Sequence, residues 1–85
     1  MKHIGYIIAN DREEFLHSYK CTNGIESRGW SLTPEMAKIY NTRAKAQNIA
    51  NKMDYRPVWV LELLDMENQL VVASDDEVNR PAWLR

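Results

Sequence analysis

Residues 58–64 read VWVLELL, and no other run in the chain is so clearly a β-strand, being β-branched, aromatic and aliphatic with one interruption at Glu62. Residues 65–68 (DMEN) then supply a turn, and residues 69–73 (QLVVA) return as the partner, so 58–73 reads as an antiparallel hairpin. Side chains alternate along a strand, which puts Trp59, Leu61 and Leu63 on one face and Val58, Val60 and Leu64 on the other. Both faces are apolar. Such a hairpin needs cover on two sides, so the rest of the chain must build a layer on each, or a second chain must supply one.

Upstream, residues 54–57 (DYRP) end a helix, because Pro57 pushes Arg56 out of the α region. Residues 43–53 (RAKAQNIANKM) are Ala-rich and bring Ala46, Ile49, Ala50 and Met53 to one face. Thr33-Pro34-Glu35 carries start signals of its own, a capping oxygen followed by Pro and an acid. Two readings follow for residues 34–53. Either one helix spans them, or Lys38-Ile39-Tyr40 is a short extended piece and Asn41 or Thr42 caps a second helix. The broken form is preferred, since Asn41-Thr42 suits a cap better than a helix interior.

The first third is β. Residues 3–9 (HIGYIIA) read as a strand with Ile4, Tyr6 and Ile8 on one face and Gly5 and Ile7 on the other, and Asn10-Asp11-Arg12 as a turn. Residues 15–21 (FLHSYKC) alternate again, placing Phe15, His17, Tyr19 and Cys21 on one side. Asn23-Gly24 is a type I′ hairpin signal, because both residues tolerate positive φ. Residues 25–32 return as a weaker strand in which Gly29 marks a bulge or a close approach. The expected fold class is therefore α+β: an antiparallel sheet of four or five short strands with one main helix packed on one face. What covers the other face stays open between the tail, through Trp83 and Leu84, and another chain.

With 85 residues, 45% of them apolar and 27% charged, the chain makes one modest core and one domain, in which 75–85 form an acidic, Trp-bearing C-terminal segment. The net charge of -1 conceals a division. Residues 1–56 carry nine Lys/Arg against six Asp/Glu, a net of +3, and residues 57–85 carry two against six, a net of -4. The single cysteine, Cys21, can make no internal disulfide and fits a reducing cytoplasm. No apolar run approaches the roughly 20 residues of a spanning helix, and residues 4–9 lack the cleavage site of a secretory signal, so no membrane partner is expected.

Chemistry is sparse. His17 and Cys21 stand about 13 Å apart along a strand, too far to share a metal ion. Asp75-Asp76-Glu77 lacks the ordered spacing of a calcium loop, and a charge run is usually a solvated face. Glycines at 5, 24 and 29 make no phosphate-binding loop, and no serine sits in a nucleophile turn. Neither a catalytic site, a metal site nor a cofactor is expected, so the chain is read as a non-enzyme.

Binding remains. Three Trp and four Tyr favour a protein partner, with Trp30, Trp59, Trp83 and Leu84 as anchors and Asp75, Asp76 and Glu77 as the charged rim. Each Trp has a core-filling alternative. It is strongest for Trp59, whereas Trp83 either docks a partner or pins the tail to its own sheet. Arg43, Lys45, Lys52 and Arg56 offer nucleic-acid binding as the alternative, although a phosphate-tracking surface normally carries a larger basic excess. Self-association through the hairpin at 58–73 is a third reading.

Residues 25–64 resemble a type met among small uncharacterised accessory proteins of bacteriophages. The likeness rests on Gly29-Trp30, Ala37-Lys38-Ile39-Tyr40, the Ala-rich stretch 44–50 and the strand at 58–63. It implies a short strand before the helix and a non-catalytic factor, possessing no catalytic residues, that binds and diverts a host protein in the host cytoplasm. The acidic segment and the Trp-bearing tail depart from that type and point to features particular to this chain's partner.

Overall fold

In the computed structural model, which describes residues 1–84, five strands form one antiparallel sheet in the order β3-β2-β1-β4-β5. In chain order these are β1 (Lys2–Asn10), β2 (Phe15–Thr22), β3 (Ile25–Ser31), β4 (Val58–Met66) and β5 (Gln69–Ala73). A single 3-10 turn (Pro34–Met36) and one helix, α1 (Arg43–Lys52), complete the α+β fold. The helix is broken from the 3-10 turn as the Asn41-Thr42 signal implies. Thr42 adopts extended φ and ψ, and its Oγ1 accepts the Lys45 N–H at 3.2 Å, which satisfies one of the free donors of the first turn.

Lys38-Ile39-Tyr40 is extended and lies beside β1. Tyr6 and Tyr40 exchange both backbone hydrogen bonds at 2.8 Å, and Lys38 donates its N–H to Leu16 O at 2.8 Å. β1 and β2 pair directly only at Ala9 and Phe15, so this piece fills the gap where the two strands diverge. Gly5 makes the approach feasible: a Cβ there would stand 2.6 Å from Ile39 Cγ2 and 2.7 Å from Tyr40 O.

Within the chain, the tail-side face of β4 is covered and the helix-side face is covered over part of its length. On one side Ala46, Ala50 and Met53 of the helix region bury Ile8 and Leu16, with Val58 and Val60 packed around them. On the other side Ile7, Ala9, Phe15, Leu61 and Leu63 are buried beneath Ala37, Trp83 and Leu84. The tail, not a second chain, forms the layer on that face. Trp83 meets Phe15 edge-on at 5.7 Å and donates its indole N–H to Asn10 O at 2.7 Å.

Three local expectations need correction. A bulge between His3 and Gly5 puts one extra residue into β1, so Ile4 joins Ile7 on the tail side instead of Tyr6 and Ile8. A second bulge, between Leu16 and Ser18, breaks the alternation of β2: Phe15 lies on the tail side, Tyr19 on the helix side, and His17 is exposed. The irregularity falls on β2, and of the two roles open to Gly29 it is the close approach that holds, since a Cβ there would stand 2.6 Å from Ser18 Oγ. Finally, Asn10 is no turn residue but the fully buried end of β1. Its side chain organises the following turn, Oδ1 accepting the N–H groups of Arg12 and Glu14 while Nδ2 donates to Glu14 Oε1.

Candidate interaction surface

Ten helical residues make a rod about 15 Å long, whereas the nine residues of β4 extend about 30 Å. One helix therefore shields only part of the sheet face it packs on. The helix region covers Ile8, Val58 and Val60. Arg43, in its first turn, reaches Tyr6, its guanidinium 5.0 Å from the ring centre. Beyond Tyr6 the same face continues without a layer over it. The antiparallel register places Glu62 opposite Ala73, Leu64 opposite Val71 and Met66 opposite Gln69, with His3 opposite Leu64 on β1.

Leu64 and Val71 are half-buried and Met66 is 42% exposed, and none of the three belongs to the cluster under the helix. Met1, 89% exposed, adjoins Lys2 at the same end of the sheet. His3 borders the patch on the β1 side. Its Nε2 stands 3.4 Å from Glu62 Oε1 and its ring meets Tyr6 edge-on at 5.0 Å. An apolar stretch rimmed by such polar contacts is the usual anatomy of a protein-docking surface.

Next to it, where β5 ends, the chain turns across the outer edge of β4. Here a polar cavity of about 190 Å³ is lined by Arg43, Gln47, Trp59, Ser74, Asp75 and Asn79, among others. Its walls are already engaged with one another. Arg43 pairs with Asp75 at 2.8 Å, and Trp59 donates its indole N–H to Asn79 Oδ1 at 3.1 Å. Asp76 Oδ1 accepts the N–H groups of Val78 and Asn79, both at 2.9 Å, and those bonds hold its carboxyl below the usual carboxylate range. The cavity is the inside of a structured turn and presents no free reactive group.

The residues expected to bind thus take separate places. Trp83 and Leu84 lie half-buried on the tail side, and Trp59 lines the same side near the end of the sheet. Trp30 packs on the helix side against Tyr55, ring centres 5.2 Å apart. Asp75 and Asp76 are engaged as described, and Glu77 is exposed. The three Trp side chains therefore do not converge on one surface.

The four basic residues do not converge either. Arg43 is held by Asp75 and Tyr6 at one end of the helix. Arg56, at the other end, donates to the carbonyls of Ala50, Asn51 and Tyr55, completing the helix terminus. Only Lys45 and Lys52 remain on the exposed helix face, two charges where a phosphate-tracking stripe needs several.

A second constellation lies where β3 meets the segment after the helix. Glu26 accepts the Asp54 N–H, pairs with Arg28 and accepts from Tyr19 Oη at 3.3 Å. Burial pushes the Glu26 carboxyl up, but these donors outweigh it and hold the group below its ordinary value. The Tyr19 hydroxyl is pushed up by burial and by the Glu26 charge. This is a clasp between strand and loop. Among the described residues no three His, Cys, Asp or Glu side chains converge to hold a metal ion, and no helix is long and apolar enough to cross a membrane.

Nothing in the sequence singles out Met66, Val71 and Ala73 one by one; the signal for them is the excess of apolar residues in 58–73 over what one helix can cover. No family model matches the chain, and no curated protein or solved structure is significantly similar to it.

Proposed function

We propose that the chain is a small non-enzymatic protein-binding factor that docks through the helix-free end of its sheet. The observation that supports this reading is the uncovered apolar surface of Leu64, Met66 and Val71, on a face whose other half is sealed by the helix. The resemblance of residues 25–64 to bacteriophage accessory proteins supports a narrower form, a factor made by a virus that binds and diverts a protein of its host in the host cytoplasm. The Trp side chains then act mainly in holding the scaffold, and the docking surface lies on β4 and β5.

The test is capture of the partner by the tagged chain and by two variants. Met66→Glu combined with Val71→Thr alters the uncovered face while keeping strand-compatible residues. Asn48→Glu alters the exposed side of the helix. A protein retained in stoichiometric amount by the native chain and by Asn48→Glu, and lost from the double variant, is the expected result. Retention indifferent to the double variant, with its thermal midpoint preserved, refutes the assignment.

A further inference from the structure

We infer that β5 receives an extended segment of the partner as an added strand, and that this segment carries basic residues on both sides of an apolar centre. The inference rests on the protein-binding reading above and specifies the mode of docking. The two edges of the sheet differ. β3 is guarded, because Glu26 and Arg28 are charged, Gly29 weakens pairing, and Glu26 ties the edge to Asp54. β5, with the sequence QLVVA, has no charge, no Pro and no Gly.

The turn that precedes β5 has two residues, Glu67 and Asn68, both at positive φ (53° and 65°) as a type I′ turn requires. In such a hairpin the flanking residues Met66 and Gln69 bond to each other. Alternation then turns the N–H and C=O of Leu70 and Val72 outward. Among the described residues no backbone group outside the sheet bonds to them. Four strong hydrogen-bonding groups thus line an uncharged edge beside the uncovered face.

Charge selects the occupant. Glu67 stands at one end of β5 and Asp76 and Glu77 follow the other, and none of the three has an ion-pair partner among the described residues. A second copy fits poorly. Antiparallel pairing of two β5 strands about Val71 sets the turn that carries Glu67 beside the Asp76-Glu77 segment of the second copy, twice over by symmetry. A strand with Lys or Arg at both ends meets the same acids as attraction, so its orientation on the edge is neutral but its composition is not.

The test uses the isotope-labelled full chain and two synthetic peptides that share a Val-Thr-Val-Thr-Val centre, one flanked by two Lys at each end and one by two Glu. Amide resonances and hydrogen exchange are followed during titration. The Lys-flanked peptide is expected to shift and protect the Leu70 and Val72 amides and to bind about tenfold tighter than the Glu-flanked one. Glu67→Lys with Glu77→Lys, two exposed positions, is expected to reverse that order. Equal response to both peptides, or none at millimolar concentration, overturns the inference. Shifts confined to Leu64 and Met66 with unprotected edge amides also overturn it, while leaving docking on the face intact.

Discussion

Replacing Trp83 by Ala removes the clamp that holds the tail on the sheet. A Trp side chain buries on the order of 150–250 Å² when enclosed. Trp83 is half-buried, so roughly 100 Å² of apolar contact, against Phe15 and its neighbours, is lost. At about 25 cal/mol per Å² that is about 2.5 kcal/mol. The Asn10 carbonyl also loses the indole N–H at 2.7 Å, about 1 kcal/mol more. A chain of this size has a total stability on the order of 4–13 kcal/mol, and each kcal/mol moves its midpoint by about 4–8 °C. Trp83→Ala is therefore expected to melt roughly 15–25 °C lower in thermal unfolding followed by circular dichroism. Trp83→Phe keeps a ring and loses the N–H, so it falls much less, by about 4–8 °C. An Ala variant melting within about 3 °C of the native chain would refute the clamp and release Trp83 as a docking residue.

Other perturbations probe other joints. Gly5→Ala puts a methyl group 2.7 Å from Tyr40 O, so the 38–40 segment must retreat from β1. A loss of about 1–3 kcal/mol in denaturant unfolding is expected, and an unchanged midpoint would show that the segment does not press on β1. Thr42→Ala removes the cap oxygen from Lys45 N–H, and about 1 kcal/mol should disappear with it, read in the same assay. The Glu26 carboxyl sits below its unfolded value of 4.5, so the stability it contributes is present above that pH and is lost as pH falls through the folded value. Glu26→Gln should accordingly flatten the acid limb of a stability-against-pH curve below about pH 4.5, and an acid limb as steep as the native one contradicts the clasp.

Much of the architecture is legible in the sequence because local signals agree with the final packing. Asn23-Gly24, at φ 53° and 77°, makes the hairpin turn expected of it, and Thr42 caps the helix where the polar pair interrupts the apolar stripe. The facing of Ile4 and of Phe15 is not legible, because a period-two reading assumes unbroken pairing and each bulge inserts one residue that resets it. Nor is the landing place of Trp83, since its partners Phe15 and Asn10 lie far back along the chain. The candidate surface is half legible. The apolar surplus of 58–73 is plain, but which residues stay uncovered depends on where a 10-residue helix stops along a nine-residue strand, and this is fixed by the register of β1, β4 and β5.

The assignment of the docking surface comes down to what touches position 64 in the cell. With a photoactivatable benzophenone amino acid at Leu64, on the uncovered face, and separately at Asn48, on the exposed side of the helix, irradiation of cells that naturally hold the chain should give a discrete covalent adduct from 64 and none from 48. Adducts from 48 alone, or from neither position, would contradict a docking surface on β4 and β5.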